Sequence, residues 1–331
     1  MGEEIQFRQL LLGGLAVIGE HRGVKVISAN QAPDGVASQG DYQVVQTVGG
    51  ASVHSVADRE TFHPVAGPEA EATALYVRQM GLVERAQRAG VAGEEFVIWD
   101  VGLGAGGNIC TVLRALQGGA ARLRVISFER TLAPLEFAIT QVDQLPFLRG
   151  FDAKLRELTE VGTVGLAELG LAGAWELRVG DFTGLVRDAH AVLPSPDAVL
   201  FDAYSPARNP AMWSLPVFAA IRSRVLPGRS AQLATFSRAT LVRTALLLAG
   251  WFVGSGESIA GKEETTVAAT ERADLKAPLG RSFLRRAEVS DAAEPLDGGE
   301  YRRARLSAEL RDRLGRHPQF QEKPALDAGN R

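Results

Sequence analysis

One cysteine in 331 residues, Cys110, leaves nothing to close an internal disulfide with. Histidine is nearly as scarce, at five residues, and no Cys/His cluster has metal-ligand spacing, so a structural zinc is excluded. Neither sign of charge dominates. Lys and Arg number 36 against 39 Asp and Glu, a formal net charge of -3, so any contact with nucleic acid has to come from a local patch and not from the chain as a whole. Long apolar runs are missing too. The stretch from Leu10 to Ile18 follows Glu3 and Glu4 and is broken by Gly13 and Gly14; it is too short to span a bilayer and wrongly flanked for a secretory signal. These absences read as a cytoplasmic protein in a reducing compartment, not a membrane protein, with Cys110 a small buried apolar residue.

What is present is enough for a large core, since 46% of the residues are hydrophobic. Three regions are expected: an N-terminal extension over 1–41, a main domain over 42–275, and an Arg-rich polar tail or small appended element over 276–331. The main domain opens on YQVVQTVGGASVHSV, two β-rich runs joined at Gly49 and Gly50, which is a hairpin signal. A loop with His63 and Pro64 then leads into a helix carrying Glu71 and Tyr76. Beyond it, short apolar runs alternate with helical segments, the mark of a mostly parallel sheet covered by helices. The strands are FVIWD (Phe96 to Asp100), VISFE (Val125 to Glu129), WELRV (Trp175 to Val179), DAVLFD (Asp197 to Asp202) and AQLATF (Ala231 to Phe236). The runs WFVGSG and TTVAAT close the sheet as an antiparallel pair, and 145–174 reads as a largely helical and irregular insertion. No internal repeat is visible.

The segment DVGLGAGGN joins the first of these strands to a helix. Small residues there let backbone approach a nucleotide-like ligand, and a helix N-terminus offers unpaired N–H groups. Gly102, Gly104 and Gly107 also satisfy the dinucleotide pattern G-x-G-x-x-G, so the loop alone does not choose a cofactor. Its surroundings favour S-adenosylmethionine. Asp100 stands two residues before the first glycine, within reach of a cationic methionine group. Glu129 ends the next strand, where a carboxylate accepts from both ribose hydroxyls, as in NAD proteins. Asp181 follows the third strand after Gly180, where it can accept from an adenine amino group, a position dehydrogenases do not require.

The fourth strand runs into DAYSPARNPAMW, Asp202 to Trp213, the most distinctive segment of the chain. Together with ETFHPVAGPEAEA (Glu60 to Ala72), DVGLGAGGN, ATFSRATLVRTALLLAGW (Ala234 to Trp251) and GKEETTVAA (Gly261 to Ala269), it resembles the methyltransferase domain of the MnmC family over roughly residues 42–270. The resemblance implies a class I S-adenosylmethionine-dependent methyltransferase: an α/β, Rossmann-like fold with a seven-stranded, mostly parallel sheet, an N-terminal hairpin and extension, and a C-terminal tail. It further implies methylation of the 5-aminomethyl group of the wobble uridine in tRNA, giving 5-methylaminomethyl(-2-thio)uridine, with the tRNA anticodon region as partner and no metal. Carried over position by position, Gly102, Leu103, Gly104, Ala105, Gly106 and Asn108 would hold the methionine part of the cofactor with Asp100, Glu129 its ribose and Asp181 its adenine, with Glu71 at the cofactor mouth. Asp202 would act at the methyl-transfer site, and Tyr204, Ser205, Pro206, Arg208 and His63 would meet the substrate, with Asn209 and Trp213 in support. The pattern departs from the family where Gly107 replaces a larger apolar residue and Tyr204 the commoner Phe. Bifunctional family members carry a following FAD-dependent oxidase domain, and the chain after Thr270 is too short for one, so a stand-alone methyltransferase is expected.

Other features have plainer readings. Trp99, Trp213 and Trp251 are expected as core anchors and not as base-stacking platforms. Arg208, Arg238 and Arg243 read as solvated charges, Arg208 also as a phosphate contact. In the tail, Arg285, Arg286, Arg302, Arg303 and Arg305 are interleaved with acids, which reads as a solvated helix face or, alternatively, an RNA arm. Two other functions fit the fold: aminopropyl transfer from decarboxylated S-adenosylmethionine, or another amine methylation, and a module that binds without chemistry. The retained Asp202 speaks against the last.

Overall fold

A computed structural model describes residues 25–26, 41–64, 66–258 and 264–321. The expected extension over 1–41 and the start of GKEETTVAA therefore lie largely outside the described residues. The chain begins with a small antiparallel sheet of β1 (Lys25–Val26), β2 (Tyr42–Thr47), β3 (Gly50–Ser55) and β4 (Glu60–Thr61). The hairpin is in the expected place, with Thr47 opposite Gly50. After α1 (Pro68–Ala72) and a π-helical turn (Thr73–Arg78) come α2 (Leu82–Val91), β5 (Glu95–Val101), α3 (Gly107–Leu116), β6 (Arg122–Glu129), α4 (Ala133–Thr140) and α5 (Asp152–Val161). Then follow β7 (Thr163–Gly165), β8 (Ala172–Val179), α6 (Phe182–Arg187), β9 (Ala198–Phe201), α7 (Leu215–Ser223), β10 (Gln232–Thr235), α8 (Thr240–Leu248), β11 (Phe252–Ser255) and β12 (Thr266–Ala269). Two helices finish the described chain, α9 (Arg281–Val289) and α10 (Ala308–Gly315).

The main sheet has the order β11-β12-β10-β9-β5-β6-β8-β7. Its centre is parallel, and β12 runs antiparallel to both β10 and β11, as the closing pair was expected to do. The sheet has eight strands, not seven. The additional strand, β7, pairs antiparallel with β8 at the edge and comes from the stretch read as an irregular insertion. At three residues, TVG, it is too short to show an alternating pattern.

Central strands are buried on both faces, which is why they read as unbroken apolar runs. In β5, Phe96 and Ile98 enter one core with α2, α3, α4 and α5, while Val97, Trp99 and Val101 enter the other with α6, α7 and α8. Alternate residues of a strand point to opposite faces, so one run serves both layers. All four tryptophans are buried and their indole N–H groups are satisfied: Trp99 donates to the Pro194 carbonyl, Trp175 to Ser127 Oγ, Trp213 to the Tyr204 carbonyl and Trp251 to the Phe218 carbonyl. Cys110 is fully buried, and burial pushes its thiol up.

The Arg-rich segment packs against the sheet through its apolar residues while Arg285, Arg286, Arg302, Arg303 and Arg305 are exposed. Leu279, Phe283, Ala287, Leu306, Leu314 and Phe320 share the second core. Gln319 fastens it to the sheet edge, accepting from Val253 N–H and donating to the Val253 and Leu279 carbonyls at 2.7–2.8 Å, which occupies backbone groups of an edge strand. Arg243 corrects its expected place as a solvated charge. It is 2% exposed, because α8 turns it under β12, where it donates to Thr266 Oγ1, the Thr265 carbonyl and the Glu264 carboxylate.

Candidate active site

The chain builds β5, β6 and β8 outward in one direction and then returns to place β9 on the other side of β5. Where strand order reverses, the loops at the carboxyl ends of β5 and β9 diverge and leave a crevice, the usual ligand site of an open parallel sheet. The two most informative motifs of the sequence leave the sheet there. Asp202 is tied to the end of β5 through its N–H on the Val101 carbonyl at 2.9 Å.

The glycine loop follows β5 directly. Gly102 has φ +91°, and a Cβ on it would lie 2.6 Å from the Asp202 carbonyl oxygen, so only glycine fits this crossing. Gly104 N–H donates to Glu129 Oε2 at 2.9 Å, while Arg130 N–H holds Oε1 at 2.7 Å. Leu103 and Ala105 are buried and offer the crevice backbone only. Gly106 leads into α3. A Cβ on Gly107 would meet the Pro68 Cβ at 2.9 Å and His63 Nε2 at 3.5 Å, so Pro68 of α1 fills the space a larger side chain would need here.

Asp100 lies beneath this loop, 1% exposed, and its Oδ2 accepts from Ser127 Oγ at 2.7 Å. Burial pushes its carboxyl up to about 7 against the pull of the Ser127 hydrogen bond, with the charges of Glu129 and Asp202 adding to the rise. It is thus a buried group under the cradle and not an open ligand on it. Asp181 begins α6, and its carboxylate accepts from the N–H groups of Thr183 and Gly184 and from Thr183 Oγ1. Burial works to raise it, and these hydrogen bonds overcome that and lower it. A cleft of about 320 Å³ opens beside it, lined by Phe128, Gly180, Phe182 and Leu185 among others; neither Asp202 nor the glycine loop belongs to that lining.

Asp202 stands across from the loop, its side chain 26% exposed. Its Oδ2 accepts from Asn108 Nδ2 at 2.6 Å, and His63 Nε2 lies 3.9 Å from the same oxygen. The other ring nitrogen of His63 is 3.7 Å from Glu71 Oε2, while Glu71 Oε1 accepts from Ala66 N–H at 2.8 Å. Glu71 is 3% exposed. His63 adopts φ +50°, a left-handed conformation that costs a non-glycine residue about 1–2 kcal/mol. The expected residues His63, Glu71, Asn108 and Asp202 thus form one chain of contacts. Asn108, expected as a cofactor contact, gives its side-chain amide to Asp202.

The small sheet roofs the following loop. Glu60 of β4 accepts from Ser205 Oγ at 2.5 Å and from Ser205 N–H at 3.3 Å. Tyr204 packs against Phe62 with ring centroids 5.7 Å apart; burial, with the charge of Asp58 behind it, pushes its phenol up. Trp213 holds the Tyr204 carbonyl at 2.7 Å. Arg208 is exposed at the loop tip, while Pro206 and Asn209 are partly buried. Sequence reasoning gave no role to Glu60 or Tyr76, whose partners Ser205 and Phe236 lie far along the chain, nor to Ser55 and Asp58, which bond to each other. The only available signal was that Glu60 opens one of the quoted motifs.

Among the described residues no group of three or more His, Cys, Asp or Glu side chains is arranged to hold a metal ion, and no helix is long and apolar enough to cross a membrane.

Residues 168–271 match a family described as S-adenosyl-L-methionine-dependent methyltransferase. The bifunctional protein MnmC of tRNA 5-methylaminomethyl-2-thiouridine biosynthesis is similar: that of Aeromonas hydrophila is 30% identical over 190 residues, 54% of this chain and 28% of the relative. That of Caulobacter vibrioides is 31% identical over 202 residues, 59% of this chain and 32% of the relative. The chain therefore spans about three tenths of the length of these relatives. Among solved structures, MnmC2 from Aquifex aeolicus superposes with a TM-score of 0.61 at 24% identity, over 85% of this chain and 84% of that one, a likeness of fold.

Proposed function

We propose that this MnmC-like chain, built on the class I S-adenosylmethionine-dependent methyltransferase fold, transfers a methyl group to an exocyclic amine of tRNA, the 5-aminomethyl group of a wobble uridine. The observation that carries the reading is the placement of Asp202. It ends β9 at the strand-order reversal, in backbone contact with the glycine loop, partly exposed and held by Asn108.

The residues around the loop suit S-adenosylmethionine. The crossing at Gly102 leaves no side chain over the cradle, Glu129 presents a carboxylate to ribose hydroxyls, and Asp181 stands beside a cleft with room for a flat ring system. Bound there, the cofactor supplies a methyl group made electrophilic by its sulfonium. The chain's own residues would do the rest. Tyr204, Ser205 and Pro206 would shape the slot for the base, held by Glu60 and Trp213, with Arg208 at the rim for a phosphate. An alkylamine of pKa about 10 is almost wholly protonated at neutral pH, so its lone pair has to be freed. Asp202 would align the amine and accept that proton.

The test uses purified protein, S-adenosylmethionine and tRNA bearing 5-aminomethyluridine, with nucleosides read by mass spectrometry. Gain of one methyl on that nucleoside is expected. Methylation of small amines but not of this tRNA, or aminopropyl transfer from the decarboxylated cofactor, would overturn the substrate assignment. Replacing Asp202 with Asn is expected to lower saturated turnover by about 10² to 10⁴ with cofactor affinity nearly intact. Near-normal saturated turnover would remove Asp202 from the mechanism.

A further inference from the structure

We propose that His63 and Asn108 are a positioning pair that fixes the Asp202 carboxylate for its work on the amine, with Glu71 bracing the imidazole from behind. The inference deepens the reading above and rests on Asp202 being the residue that meets the amine.

Two groups from separate elements converge on one oxygen, Asp202 Oδ2: the Asn108 amide from α3 at 2.6 Å and the His63 ring from the loop before α1 at 3.9 Å. Asn108 is 4% exposed and, among the described residues, its own Oδ1 has no hydrogen-bond partner, while its amide N–H₂ donates to Asp202. The His63 side chain is 8% exposed, lies edge-on to Phe236 with centroids 6.1 Å apart, and stands between two carboxylates, Asp202 on Nε2 and Glu71 on Nδ1. The backbone accepts a left-handed conformation at a residue other than glycine to put it there; such conformations concentrate at functional sites because surrounding structure has to enforce them. A carboxylate that aligns an amine needs one fixed rotamer, and a cation close by keeps it ionised. Asn108 supplies the first and His63, when protonated, the second. Among the described residues, Tyr76 from the π-helical turn and Asp100 from β5 also face Asp202, and Glu71 from α1 stands behind His63.

The conformation of His63 makes the test clean. Glycine and asparagine favour φ near +50° more than histidine does, so His63→Gly and His63→Asn keep the backbone and remove only the imidazole. With tRNA bearing 5-aminomethyluridine, both variants and Asn108→Ala are expected to lose about 10- to 100-fold in kcat. The Kd for S-adenosylmethionine should stay within about twofold and the Tm should not fall for the His63 variants. Added imidazole should restore part of the activity of His63→Gly. A readout free of turnover accompanies this: the ¹³C carboxyl titration of Asp202 should move to higher pH in Asn108→Ala and His63→Asn, because each removes a group that favours the ionised form. Unchanged kcat and an unmoved titration would overturn the proposal, and so would activity losses that track Tm without rescue. Asp202→Asn in the same assay separates the two claims. If it retains saturated turnover, the reading of Asp202 fails; if it collapses while the His63 and Asn108 variants turn over normally, only the positioning pair fails.

Discussion

Asp100 gives the sharpest link between this fold and pH. Its carboxyl is 1% exposed and pushed up from an ordinary 3.8 to about 7, chiefly by burial. Below about pH 4 folded and unfolded chains are both protonated here, and the group is neutral to stability. Between about 4 and 7 the unfolded chain releases the proton while the folded chain keeps it, so stability falls as pH rises; above 7 the full penalty stands, about 4 kcal/mol at about 1.4 kcal/mol per pH unit. Asn at this position keeps an acceptor for the Ser127 hydroxyl and carries no charge. Its own N–H₂ group then lacks a partner, which costs about 1–3 kcal/mol independent of pH. The stability of Asp100→Asn relative to wild type should therefore climb by about 2 kcal/mol between pH 5.5 and 8.5, most of it before pH 7. Urea titrations followed by tryptophan fluorescence at four pH values in that window measure it. A difference that stays flat with pH, or shrinks as pH rises, would show that Asp100 is ionised throughout and would refute the reasoning. On the proposed cofactor placement the same titration is expected to act on affinity: S-adenosylmethionine should bind more tightly as pH rises through about 7 in wild type and without that dependence in the variant.

Three further outcomes are expected. Glu129→Ala should weaken S-adenosylmethionine binding by about 1.5–3 kcal/mol, the range for charge-assisted hydrogen bonds, and calorimetry showing unchanged affinity would sink the ribose assignment. Gly107→Leu, which restores the family's larger residue, should cost about 1–3 kcal/mol of stability because its Cβ alone comes within 2.9 Å of Pro68; a thermal melt identical to wild type would contradict the packing described. Glu60→Gln should lower kcat/KM for tRNA by about tenfold through the slackened Ser205 loop while sparing cofactor affinity, and an equal loss in cofactor binding would point to a wider disturbance.

How far the sequence could be read depended on how local the signal was. The strands, the glycine loop and the acids at strand ends are contiguous patterns, and the apolar runs at Phe96 and Val125 carry their own evidence of burial on both faces. The contacts that organise the site are not contiguous. Asn108 meets Asp202 across 94 residues and Glu60 meets Ser205 across 145, so no spacing rule announces them. Nor does any announce Pro68 beside Gly107. The arginines of the last segment are exposed as their interleaving with acids implied, but its core residues, Phe283, Ala287, Leu306 and Leu314, are sparse among charges and did not announce their packing, and Arg243 read as surface because burial of an arginine depends on partners such as Glu264 that only the sheet brings near.

The crossing of Gly102 over Asp202 leaves little latitude for evolution at the heart of the crevice. Backbone touches backbone there, so the spacing between the cofactor cradle and the acid opposite is set by two adjacent strands and cannot be retuned by exchanging side chains. Diversity of substrate has to enter from the periphery, through the Ser205–Trp213 loop and the small sheet above it, where lengths and side chains are free to change without moving the strand ends. A chain of this kind can acquire a new substrate by rebuilding its roof while its floor stays the same.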